Sequence, residues 1–145
     1  MGAELSVLSR AALACRIGLS SLSTSSTSLF SGFPRGACGP ASEVLGRLLR
    51  DEFGLDGFYV CGRGHRRLKR DQSHAWVEVD GFILDITHDQ FTKTGLVGWV
   101  VPQNSSWHAA FRDVTRRSGF CTPSGWPMYP HDGYAAARIA LAARP

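Results

Sequence analysis

A cysteine, a histidine and an aspartate follow one another in settings that suit thiol chemistry: Cys38, His74 and Asp85. Cys38 lies in FPRGACGPASEVLGRLLRDEFG, residues 33–54, which opens on turn residues and then becomes helical in pattern. Ala41, Val44, Leu45, Leu48, Leu49 and Phe53 recur every three or four positions, Pro40 is tolerated in a first turn, and Gly54 provides a stop. Cys38 is therefore expected at or just before a helix N-terminus. Free backbone N–H groups and the positive end of the helix dipole there favour a thiolate over a thiol. The same N–H groups could receive the oxyanion that forms when sulfur attacks a carbonyl, with Gly36 and Gly39 keeping the approach open.

His74 and Asp85 belong to SHAWVEVDGFILDITHDQF, residues 73–91, which reads as two strands around Asp80-Gly81, a favoured two-residue hairpin turn. With that turn, Val79 faces Phe82, Val77 faces Leu84 and Ala75 faces Ile86, giving one apolar face that belongs in a core. His74, Trp76 and Glu78 share the opposite face with Ile83, Asp85 and Thr87. Asp85 then lies diagonal to His74, within reach of a hydrogen bond.

These are the parts that thiol acyl transfer needs. Histidine takes the thiol proton and returns one to the leaving group, while the carboxylate fixes its tautomer and stabilises the imidazolium. Gln72, close to His74, and Gln90, after the second strand, are candidates for binding substrate or an oxyanion; Asp89 and Gln90 are expected mainly to terminate that strand. A competing reading makes His74, Asp85 and His88 metal ligands, but no second histidine stands at a recognised ligand spacing. No metal or cofactor is expected. His65, His108 and His131 acquire no partner, and Cys15, Cys61 and Cys121 read as ordinary thiols.

With GACGPAS, SHAWVEV and ILDIT in that order, the chain resembles the transglutaminase-like branch of the papain-like cysteine hydrolases over residues 33–91. HAWVEV followed by an aspartate is the most specific part. The resemblance implies an α+β fold with a nucleophile helix packed on a small antiparallel sheet, and Cys38, His74 and Asp85 as a catalytic triad. It implies cysteine-dependent hydrolysis or acyl transfer at an amide or peptide bond through a thioester. The chain departs from the pattern at two places: Gly32 stands where papain-type enzymes carry a glutamine, and the first tryptophan is Trp76, with none upstream of the nucleophile.

The 145 residues suffice for one core, with residues 1–30 read as an N-terminal helix (4–19) loosely packed on the domain plus a Ser/Thr-rich link, and 31–145 as a single domain. Apolar stretches stop short of the ~18 to 20 residues a membrane-spanning helix requires. Four scattered cysteines make no disulfide framework, which favours a reducing, cytoplasmic setting. The formal charge of +4 is concentrated in Arg63, Arg66, Arg67, Lys69 and Arg70. That run could steer an acidic peptide toward His74, or in the alternative reading make the protein a non-catalytic module holding an anionic partner. No aromatic residue interrupts it to stack on bases, so a nucleic-acid partner is not expected. A short strand is expected over 97–101, a helix over 105–119, a loop over 119–133 and a helix over 134–144. The partner implied is a peptide, protein or other amide-bearing substrate; the oligomeric state is left open.

Overall fold

The register of the sheet is set at Asp80 (φ 47°) and Gly81 (φ 86°), whose paired left-handed conformations are those of a type I′ turn. In the computed structural model, which describes residues 4–121 and 130–143, this turn joins β2 (Ser73–Val79) to β3 (Phe82–Leu84). Val77 pairs with Leu84 and Val79 with Phe82, the expected register. The ladder is shorter than the pattern suggested: Asp85 turns its N–H to Trp99 O, so the chain leaves β2 before Ala75 and Ile86 can pair. On the other side of β2 lies β1 (Phe58–Arg63), followed by β5 (Asp113–Ser118); β4 (Val100–Pro102) borders β3. The result is a five-stranded antiparallel sheet in the order β4-β3-β2-β1-β5.

Helices cover one face. α2 (Cys38–Phe53) buries Ala41, Val44, Leu45, Leu48 and Leu49, as its periodicity demands, in one cluster with Val77, Val79, Leu84 and Ile86. The valine and leucine side chains each contribute roughly 1.5–3 kcal/mol of burial. α1 (Leu5–Ser20) is not a loose appendage: Leu8, Ala11, Ala12, Cys15 and Leu19 are fully buried in the same core. It packs against α2 and against α4 (His131–Ala142). Small residues allow that approach, since a Cβ on Gly18 would stand 2.6 Å from the Ala136 carbonyl carbon.

The opposite face holds a second core of Val60, Trp76, Ile83, Trp107 and Phe111. Here the helix expected over 105–119 is corrected. Ser105 does cap a helix, accepting from the His108 N–H, but α3 ends after one turn (Ser106–Ala109). Phe111 then drops into the aromatic core, and the following residues pair with β1 as β5. The strand expected over 97–101 is observed at 100–102, and the terminal helix begins at His131. Of the loop expected over 119–133, residues 122–129 lie outside the described residues. No helix among the described residues is long and apolar enough to cross a membrane.

The seat of α1 gives a test whose sign decides. Helix propensity alone would make Gly18→Ala stabilising by about 1 kcal/mol, whereas the Ala136 backbone in its way makes it destabilising by about 1–3 kcal/mol. Urea unfolding of the two proteins is expected to show the loss; a gain would mean that α1 does not pack as described.

Candidate active site

Cys38 is the first residue of α2, where neither the N-cap Ala37 nor any other side chain caps the helix. With Pro40 lacking a donor, the N–H groups of Cys38 and Gly39 are the ones left at this end to meet an anion. Partly buried, the sulfur reaches the sheet where β3 has left β2, and it accepts a hydrogen bond from the backbone N–H of Ala75. The premature end of the β2–β3 ladder thus makes room for the Cys38 sulfur.

Both other expected residues arrive at the same point. His74 is fully buried, and its Nε2–H donates to Asp85 Oδ2 over 2.7 Å. Its Nδ1 has no hydrogen-bond partner of ordinary geometry, which leaves that atom for the sulfur. Aromatic rings fix the imidazole: Phe91 meets it edge-on at 5.0 Å, Trp107 at 5.7 Å, and Phe111 stacks at 6.3 Å. The face carrying His74 and Asp85 is therefore interior, not solvent-facing.

Asp85 is buried and accepts three donors. Besides His74, the Nε2–H of His108 reaches the same Oδ2 at 2.7 Å, and the Thr87 N–H reaches Oδ1 at 3.2 Å. On the other side of the same ring, Ser105 Oγ lies 2.7 Å from His108 Nδ1 in a hydrogen bond that fixes the imidazole's orientation. His108, which acquired no partner in the sequence, is thus the support of the acid. The signal available was the serine cap three residues before it, which dictates the turn that presents the ring.

The ionisation of the three groups follows from this arrangement. Burial pushes the Cys38 thiol up, but the hydrogen bond and positive charge of His74 and the Ala75 N–H outweigh it, so the thiol ionises below its ordinary value. For His74, burial acts downward, yet the charge and hydrogen bond of Asp85, aided by Cys38, raise it to about 9. Burial also pushes the Asp85 carboxyl up; the His74 charge and the two imidazole hydrogen bonds prevail and hold it well below the usual carboxylate range. Together these effects shift the centre from thiol and neutral imidazole toward thiolate and imidazolium, beside an ionised carboxylate.

The glutamine candidates stand differently. Gln72 is half-buried in the turn before β2, with no side-chain hydrogen bond to Cys38, His74 or Asp85 among the described residues. Gln90 ends a short 3-10 turn (His88–Gln90), and its amide nitrogen is buried without a hydrogen-bond partner. His88 is drawn to Gly98 O at 2.7 Å, away from Cys38, His74 and Asp85. The group able to gather ligand atoms is instead His74, Asp85 and His108, all within 4.8 Å. Both of its imidazoles donate to a single oxygen at hydrogen-bond length, so those nitrogens are already committed to protons.

One further residue ties the site to α1. Arg16 donates to Ile86 O at 2.8 Å, forms a two-pronged pair with Asp89 and stacks over Phe33 and Trp99. The segment just after Asp85 is thereby clamped from the N-terminal helix.

Replacing Asp85 by Asn should reverse the proton linkage of His74. In the native protein His74 binds its proton more tightly folded than unfolded, so it adds stability below about pH 6.5 that is lost as pH rises through about 9. In Asp85→Asn, burial dominates and the His74 midpoint falls below about 6.5. Histidine-labelled NMR titration reads that midpoint directly; a His74 still titrating near its native value would remove the carboxylate as its cause.

No protein-family model matches the chain, and no curated protein or solved structure matches it either.

Proposed function

We propose that the protein is a cysteine-dependent hydrolase or acyltransferase acting on an amide or peptide bond. The observation that carries this reading is the convergence of Cys38, His74 and Asp85, with the thiol's pKa lowered and the imidazole's raised. A nucleophile helix on an antiparallel sheet, with the base on one strand and the acid just past the next, supports reading the α+β fold as papain-like in its transglutaminase-like form.

The Cys38 thiolate attacks the amide carbon, forming a C–S bond as the carbonyl electron pair moves onto oxygen. The N–H groups of Cys38 and Gly39 receive that oxyanion; one such donor is worth roughly 3–4 kcal/mol in the transition state. As the oxyanion collapses, the C–N bond breaks and the leaving nitrogen takes the Nδ1 proton of His74. His74 is then neutral, with Nε2–H still held by Asp85, and its Nδ1 lone pair removes a proton from water. The resulting hydroxide attacks the thioester, the C–S bond breaks, and thiolate and imidazolium are restored while the acid departs. An amine in place of water gives acyl transfer.

Alkylation by iodoacetamide, mapped by mass spectrometry, tests the nucleophile without a known substrate. The pH midpoint for Cys38 labelling is expected below the ordinary thiol value of about 8.5, and His74→Ala should raise it above that value, because burial, the largest influence, and the Asp85 charge are then opposed only by the Ala75 N–H. Cleavage of a substrate found by screening peptide amides should rise with thiolate formation and decline near pH 9 as His74 loses its proton. Cys38→Ala should abolish turnover. A Cys38 midpoint unmoved by His74→Ala, or turnover surviving Cys38→Ala, would defeat the assignment.

A further inference from the structure

Part of the basic run closes, with two later segments, around a small pocket of about 80 Å3 whose lining includes His65, Arg66, Arg67, Thr94, Ser106 and Trp107. One water requires about 10–15 Å3 of such space, so the pocket admits a group of several heavy atoms. None of Cys38, His74 and Asp85 belongs to its lining. His65 anchors the turn that forms it. The ring is 4% exposed; its Nδ1 accepts the Arg67 N–H at 3.1 Å, and its Nε2–H donates to Trp107 O at 2.9 Å. A backbone donor at one nitrogen and a carbonyl at the other require the neutral tautomer. The Trp107 and Phe111 rings, each centred 4.8 Å from it, hold the imidazole in place.

The polar groups left over at this pocket are donors. Arg66 and Arg67 are exposed, and neither forms an ion pair among the described residues. Both charges are felt at His65: burial is the largest cause holding that imidazole below its ordinary value, and the two arginines add to it against the Trp107 hydrogen bond. A third guanidinium, that of Arg112, runs along Gly64, with its Nε 3.3 Å from where a Cβ would stand. Thr94 Oγ1 accepts the Leu96 N–H at 3.2 Å, which leaves its own proton to donate, and the Ser106 hydroxyl has no partner among the described residues. No carboxylate lines the pocket among the described residues; Asp71, the nearest acid along the run, forms no ion pair there, and Asp89 is held by Arg16. Like charges gathered in this way repel one another until an anion joins them.

The charge and the donors select the anion. A carboxylate carries a single charge, whereas a phosphoryl group carries about −1.5 to −2 at neutral pH and three strong acceptor oxygens. It therefore balances two guanidinium groups, whose forked N–H donors suit phosphate oxygens, and still offers an oxygen to the hydroxyls. We propose that this pocket is a phosphate-binding site, in which Arg66, Arg67, Thr94 and Ser106 take one phosphoryl group, either as the free ion or on a phosphorylated peptide side chain. The site does not depend on the chemistry of Cys38.

Isothermal titration calorimetry of the full chain tests it at about pH 7.5, with sodium chloride added so that every titrant is compared at one ionic strength. The probes are inorganic phosphate, N-acetyl-phosphoserine-amide and N-acetyl-glutamate-amide. Phosphate is expected to saturate a single site, phosphoserine to compete for it, and glutamate to bind at least tenfold more weakly than phosphate. Phosphoserine binding at least fivefold tighter than phosphate would identify a peptide as the source of the group; equal or weaker binding would identify the free ion. Arg66→Gln and Arg67→Gln should each weaken phosphate binding at least fivefold, and Ser106→Ala at least twofold. Arg70→Gln, which removes the same charge from the same run but outside the pocket's lining, should change it by less than twofold. No saturable phosphate binding, glutamate binding as tightly as phosphate, or a loss in Arg70→Gln equal to that in Arg66→Gln would each overturn the proposal.

Discussion

The carboxylate of Asp85 is the constraint around which this molecule is arranged. An ion removed from water loses several kcal/mol of solvation even after the protein relaxes, and one neighbour seldom restores it. Asp85 is 2% exposed and accepts from His74, His108 and the Thr87 N–H, with Oδ2 shared by the two imidazoles. Satisfying that one group dictates where the chain goes next. It requires the strand to leave β2 after Leu84, the serine-capped turn of α3 to come back over the sheet, and the aromatic residues of the second core to shield the cluster.

The two cores divide the labour. The helix-covered side supplies bulk stability through α1, α2 and α4 and places the start of α2 at the gap in the sheet. The aromatic side holds the imidazole from several directions, with Phe91, Trp107 and Phe111 about it. Arg16 joins the halves, since it leaves the helical layer to grip the backbone one residue beyond Asp85 and the carboxylate of Asp89. A helix that contributes both core side chains and this clamp is part of the apparatus that positions the acid.

Much of this was legible in the sequence, and the reasons are local. Asp80-Gly81 admits few turn types, and an alternating strand on either side has only one register that buries Val77, Val79 and Leu84 together. The 3.6-residue pattern from Ala41 to Phe53 and the stop at Gly54 likewise leave one reading, with Gly54 at φ 63° ending the helix. The misread segment, 105–119, fails for an equally physical reason. Its serine cap is genuine, but β5 is an edge strand exposed along most of its length, so DVTRRS carries no apolar alternation to announce it. The pairing that creates it lies on β1, some fifty residues earlier in the chain. His108 was missed with it, because its use depends on a short turn and on a carboxylate 23 residues away.

Stability alone gives little reason for such a cluster. Exchanging a buried ion pair for apolar side chains of similar volume is often neutral or stabilising by about 1–4 kcal/mol, while deleting one partner costs about 3–5 kcal/mol. A core of Trp76, Trp107, Phe111 and Ile83 would be well served by another aliphatic residue at either polar position. What the polar cluster adds is an electrostatic effect at a distance from its own centre. Asp85 stabilises the imidazolium, and the imidazolium in turn stabilises a thiolate that burial would otherwise suppress. Asp85 itself disfavours the thiolate by direct repulsion, so the histidine must stand between them for the net effect to change sign. That ordering of anion, cation and anion, held rigid by three hydrogen bonds and a cage of rings, carries the influence of the buried acid to the partly buried sulfur at the start of α2.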